Sequence, residues 1–239
     1  MNAEQLVRAG KLEDAIQDLV THLRDNPGDQ KNRIFLFELL CFNGEYDRAD
    51  KHLAIVSQGT KEAQVGALLY HGAIHAERLR REMFQKGPLP APLAPEEKLI
   101  NGTLNGKPFA SLSDADPRVG ARLEVFAAGD YFWIPLKHIQ SIEMKAPAQL
   151  RDLMWMPAFL KTGPGFQERD LGEVLLPALH PLTWTHPDEE VRLGRITEWC
   201  ADEQGSEAPY GQKMFEVDGE ETPILEIRSL AIHSGGQVQ

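Results

Sequence analysis

Residues 87–95 read GPLPAPLAP, with four prolines in nine positions. Proline fixes φ near about −65° and removes a backbone donor, so neither a helix nor an inner strand runs through such a stretch. It is expected to be a short, stiff, extended connector spanning residues 88–97. The residue pattern differs on its two sides. Before it, apolar residues recur at helical spacing; after it, short runs rich in β-branched and aromatic residues alternate with Gly, Pro and Asp clusters. The expectation is an α+β chain: an α-helical domain over 1–87, a β-rich α+β domain over 98–233, and a flexible SGGQVQ tail over 234–239.

The helical side repeats itself. Leu6, Gly10, Leu12, Ala15 and Leu19 match Leu40, Gly44, Tyr46, Ala49 and Leu53 at a spacing of thirty-four residues. That period resembles the tetratricopeptide repeat, in which small residues let paired helices approach closely. Asn26-Pro27-Gly28-Asp29 ends the first unit, whose leading helix is short and which carries His22 where a small residue is usual. A third helix over 61–86 is expected to bury Val65, Leu69, Gly72, Ala76, Leu79 and Met83, and Lys86-Gly87-Pro88 ends it. Two units and one helix fall short of a free-standing array, so this part is expected to lean on the second.

Beyond the connector, strands are expected at Arg122–Ala127, Tyr131–Ile134, Ser141–Lys145, Ala158–Lys161, Glu173–Leu179, Lys213–Val217 and Ile224–Ile232. Asn105-Gly106, Gly129-Asp130 and Asp218-Gly219 supply hairpin turns. Short helices fit Ala148–Met154 and Glu189–Arg192. The block Tyr131-Phe132-Trp133-Ile134 carries too much apolar area to leave in water and is expected at the centre of one core.

Asp and Glu number 36 against 25 Lys and Arg, and the excess lies after residue 95, with 23 acidic against 13 basic residues. That sign disfavours nucleic acid and anionic membrane as partners. No apolar run is long enough to span a bilayer and the N-terminus has no signal-peptide core, so a cytoplasmic protein is expected. Cys41 and Cys200 lack any CxxC or Cys/His spacing and read as reduced packing residues.

Catalytic motifs are missing. His71 and His75 have the i, i+4 spacing of a metal grip, but Gly72 stands where a zinc protease needs Glu. Asp114 and Asp116 before Pro117 fit hydrogen bonds to turn amides better than acid–base work. Arg195, Glu198, Glu226 and Arg228 read as ion pairs fixing strand register, and Trp155, Trp184 and Trp199 as core rather than ligand platform. No metal, cofactor or catalytic residue is expected.

Several separate blocks carry a family resemblance. Gly102–Ile139, Arg151-Asp152-Leu153-Met154-Trp155, Leu175–Leu179, Leu193–Trp199 and Leu225-Glu226-Ile227-Arg228 together resemble the ImpE family, also called TagJ or SciE-type, of type VI secretion accessory proteins. The resemblance implies a non-enzymatic factor that binds the N-terminal helix of the sheath subunit TssB and is linked to the ATPase ClpV, which recycles the contracted sheath. By the repeat register, a groove for that helix would be lined by Lys31, Ile34, Glu38, Cys41 and Phe42, then Val65, Leu68, Gly72 and His75. The alternative is that these residues pack against the C-terminal domain. Two other functions compete with this one: a hydrolase or ligand-binding enzyme using Asp114, Asp116, Glu198 and Glu226, and a general repeat adaptor.

Overall fold

Asn2, Asp29 and Thr60 each accept a hydrogen bond from the backbone amide three residues on, and each opens a helix. The computed structural model describes residues 1–93, 100–163, 166, 171–201 and 207–233. The expected tail and the end of the expected connector lie outside them. Helices α1 (Ala3–Arg8), α2 (Leu12–Asp25), α3 (Gln30–Phe42), α4 (Tyr46–Val56) and α5 (Lys61–Lys86) follow one another, each packed on the next. Gly10 and Gly44 take positive φ where α1 and α3 end. At Gly44 a side chain would also collide with the Trp184 ring, 2.6 Å away.

The face that α5 buries differs from the expected one. Ala67, Ala73, Ile74, Ala76 and Arg80 are buried, whereas Val65, Leu69 and Leu79 are exposed. The reason is that α5 is clasped by α4 on one side and by the sheet on the other, so small residues that allow close approach line the contact. At Gly72 an added Cβ would lie 3.3 Å from Gly129 Cα, so the backbones nearly touch.

An eight-stranded antiparallel sheet runs in the order β2-β1-β13-β6-β7-β8-β4-β5. Its strands are β1 (Asn101–Leu104), β2 (Lys107–Phe109), β4 (Arg122–Ala127), β5 (Asp130–Pro135), β6 (Ile139–Met144), β7 (Trp155–Thr162), β8 (Gly172–Pro177) and β13 (Ser229–His233). A three-stranded sheet, β12-β11-β3, combines β3 (Leu112–Asp114), β11 (Met214–Val217) and β12 (Glu220–Pro223). A separate hairpin joins β9 (Glu198–Ala201) to β10 (Glu207–Tyr210), and α6 (Glu189–Arg192) precedes it.

All three expected hairpins form, with positive φ at Asn105-Gly106, Ala128-Gly129 and Asp218-Gly219. The second turn sits one residue earlier than expected. Ala148–Met154 shrinks to a 3-10 turn at Leu150–Leu153, and the long strand expected over Ile224–Ile232 is broken by another at Ile224–Glu226.

The chain has two cores, one on each face of the large sheet. Leu123, Val125, Ile134, Leu160, Leu176 and Phe215 fill the space between the large and small sheets. Phe126, Tyr131, Trp155 and Leu175 point the other way, into a core shared with α1–α5. The aromatic block therefore is not the centre of one core. Strand alternation sends Tyr131 and Trp133 to the helices and Phe132 and Ile134 to the sheets, leaving Trp133 half-buried.

Candidate functional site

The helices meet the sheet through buried charge. Arg80 of α5 donates to Glu124 of β4 through Nε at 2.7 Å and Nη2 at 3.0 Å, and also to the Leu179 carbonyl at 2.9 Å. Lys213 Nζ lies 2.6 Å from the same Glu124 carboxylate and also binds Asp114. Tyr131 donates to Glu124 at 2.6 Å. Burial alone would push the Glu124 carboxyl up, but the adjacent Arg80 and Lys213 cations hold it well below the usual range. Burial pushes Asp114 up to about 6, against the opposing pull of Lys213.

Asp114 and Asp116 also do what the sequence suggests, accepting from the backbone amides of Asp116 and Arg118 at 2.9 and 3.0 Å. Every one of these oxygens is engaged inside the protein. Glu226 is exposed on its 3-10 turn, and Glu198 faces His186. The four carboxylates of the enzyme reading do not converge. Nor do Arg195, Glu198, Glu226 and Arg228 fix strand register: Arg195 instead reaches Glu190 at 3.1 Å and the carbonyls of Val7 and Arg8, clamping the loop after α6 onto α1. Arg192 does the same to α2 and the α3–α4 turn through Glu13 and Asn43. Trp155 is core as expected, whereas Trp184 lies under Arg81 and Trp199 is exposed. His71 binds Asp50 at 2.6 Å while His75 faces solvent.

The expected partner groove does not exist as one surface. Phe42, Cys41 and Glu38 are buried, and Glu38 accepts from Arg151 of the sheet domain at 2.7 Å. Gly72 is pressed against the β4–β5 turn. Lys31 and His75 stay exposed, and Ile34 is half-buried beside Leu150. The concave side of the short helical array is filled by its own sheet domain, because the array is too short to bury that face by itself. Val65 and Leu68 behave differently, at 72% and 74% exposure.

An open groove of about 780 Å³ lies between α5 and the large sheet, and neither of these two residues lines it. Its wall is Leu69, one helical turn after Val65, and its floor is the part of the sheet face that the helices leave uncovered. One row across the floor runs Pro157, Leu175, Phe126, Tyr131 and passes from the groove into the shared core. The next runs Glu143, Phe159, Glu173, with Phe159 40% exposed between two exposed carboxylates. With Lys145 and Arg228 also on the groove wall and Lys161 over the Phe159 ring, an apolar strip flanked by charges of both signs suits the apolar face of an amphipathic helix. Sequence reasoning missed Phe159, Glu143 and Glu173. The alternation of Phe159 with buried Ala158 and Leu160 on β7 was the available signal.

A family model for the ImpE protein matches residues 106–231, more than half of the chain. The chain belongs to the ImpE family. It is 36% identical over 262 aligned residues to the type VI secretion system accessory component TagJ of Pseudomonas aeruginosa, covering 96% of this chain and 90% of that protein. The fold matches the crystal structure of protein VPA1032 from Vibrio parahaemolyticus, with a TM-score of 0.83 at 22% identity and 99% of both chains covered. For this ImpE protein, the shared fold therefore includes the helices, which the family model does not span. Among the described residues no helix is long and apolar enough to cross a membrane.

Proposed function

We propose that this ImpE protein is a non-enzymatic accessory factor of a bacterial type VI secretion system. It captures the N-terminal helix of the small sheath subunit TssB, and through that sheath contact it is linked to ClpV-dependent recycling in the cytoplasm. The observation that carries the reading is the groove between α5 and the uncovered sheet face, with exposed Leu69 and Phe159 lining it. Apolar side chains this accessible, gathered beside one concave surface, mark an interaction site. The 36% identity to a protein named as a type VI accessory component supplies the system.

The enzyme reading has less support, because the carboxylates it needs are either engaged in the buried junction or apart from one another. Titrating a fluorescent peptide of the TssB N-terminal helix with the purified full chain tests the proposal. Saturable one-to-one binding, competed by unlabelled TssB, is expected. Absence of binding both to the peptide and to intact TssB would overturn it.

A further inference from the structure

The loop before α6 and the β9–β10 hairpin bring together three side chains that neither the groove nor the charged junction uses. His186 follows the short turn Thr183–Thr185, and Glu198 and Cys200 lie two apart on β9, so their side chains leave the same face of the strand. His186 Nε2 is 3.4 Å from Glu198 Oε2 and 3.7 Å from Cys200 Sγ. All three ligand atoms lie within 4.8 Å of one another. The His186 side chain is 8% exposed and its ring packs on Tyr210 of β10 at 5.7 Å, so its position is held from two sides.

The His186–Glu198 spacing favours a metal over a direct hydrogen bond, and the 3.7 Å His186–Cys200 spacing fits either. A direct N–H···O bond spans about 2.7–3.2 Å, shorter than the His186–Glu198 separation. A tetrahedral ion with metal–nitrogen and metal–oxygen bonds of about 2.0 Å and a metal–sulfur bond of about 2.3 Å sets nitrogen and oxygen about 3.3 Å apart, and nitrogen and sulfur about 3.6 Å apart. The two edges that meet at His186, 3.4 and 3.7 Å, match those values. One imidazole, one carboxylate and one thiolate form a donor set suited to zinc rather than to the all-oxygen shells of calcium or magnesium.

We propose that His186, Glu198 and Cys200 bind Zn²⁺ or a chemically similar divalent ion, with the fourth position open to water. Glu198 is half-exposed, which gives the ion a route from solvent. Loading puts the ring proton of His186 on Nδ1, so the 3.2 Å contact that this atom accepts from the Asp188 amide is given up. The ion ties the β9–β10 hairpin to the segment that carries α6, and hence to the Arg192 and Arg195 clamps on the helices. The sequence hid the site because His186 and Cys200 are fourteen residues apart with no repeated ligand spacing.

Cobalt(II) is the probe for the test, added to chelator-stripped, reduced full-length protein. One equivalent should give the thiolate-to-cobalt charge-transfer absorption and the intense d–d bands of a four-coordinate ion, both lost when zinc displaces the cobalt. Cys200→Ser should abolish the charge-transfer band. His186→Gln should lower affinity by more than about tenfold, the lower bound for losing even an outer-shell partner. Cys41→Ser, at the buried cysteine, should change neither. No thiolate band in the wild-type protein, or a band that survives Cys200→Ser, would overturn the assignment.

Discussion

The two halves of α5 invert the usual rule for a helix on a protein surface. Its C-terminal half buries Arg80 at 3% exposure, while its N-terminal half leaves Val65 and Leu68 more than two-thirds exposed. The charge is tolerated because Glu124 takes it bidentately and Leu179 accepts a further bond, so no donor pays the full desolvation penalty alone. The apolar residues have no comparable intramolecular partner. One half of the helix joins the protein to itself, and the outward-facing apolar residues of the other are left for something else.

Breaking the joined half should produce the largest effect. Glu124→Ala leaves Arg80 and Lys213 buried without their shared carboxylate, and should destabilise the protein by about 3–5 kcal/mol in denaturant unfolding. A loss below about 1 kcal/mol would mean that water reaches the junction and the charges are not truly buried. Trp155→Ala should follow at about 3–5 kcal/mol, because the ring is 2% exposed and stacks on Tyr70 of α5. Trp133→Ala, half-buried against Phe84, should cost clearly less. Equal losses at the two tryptophans would contradict the division into two cores.

Those two tryptophans also show what the sequence makes legible. Hairpin turns need positive φ, and Asn105-Gly106 and Asp218-Gly219 announce it locally, so the turns were found. Which face of α5 is buried is not a local property. It depends on where β4 and β5 dock, and a reading by hydrophobic period places Val65, Leu69, Ala76 and Leu79 inward, whereas of these only Ala76 is buried and Arg80 is buried as well. Two of the expected partner residues are buried for the same reason. Glu38 and Phe42 occupy groove positions of a repeat array, but in a short array the protein's own Arg151 and Trp155 reach them first. The buried quartet of Arg80, Glu124, Lys213 and Asp114 had no sequence signal, since its members come from α5, β4, the residue before β11 and β3.

The exposed half should respond in the opposite way. Val65→Ser and Leu68→Glu should change stability by no more than about 0.5 kcal/mol, as measured by thermal melting, because neither side chain leaves a packed environment. A destabilisation above about 2 kcal/mol would show that the protein buries these residues itself.

A separate effect lies in the pH dependence of the junction. Burial, with the Lys213 cation nearby, holds the His180 pKa well below 6.5; Glu124, Arg80 and Arg118 also act on it. The unfolded imidazole takes a proton below about 6.5 and the folded one does not, so its stabilisation is present above that pH and declines as pH falls. Asp114, pushed up to about 6, has the opposite sign: its contribution is fully present below 3.8 and is lost as pH rises through about 6. The stability difference between wild type and His180→Gln isolates the histidine. It should narrow by at most about 1.4 kcal/mol per pH unit below 6.5. A difference that stays constant from pH 7 to pH 5 would mean the imidazole is protonated in the fold.

The most direct test of the division within α5 is isothermal titration of the TssB N-terminal peptide into three full-length proteins: wild type, Leu69→Glu and His75→Ala. Leu69→Glu, on the groove wall, should lose most of the affinity while melting like wild type, and His75→Ala, exposed on the same helix outside the groove, should bind unchanged. Wild-type affinity in a well-folded Leu69→Glu protein would contradict the account, because the exposed half of α5 would then not be where the partner docks.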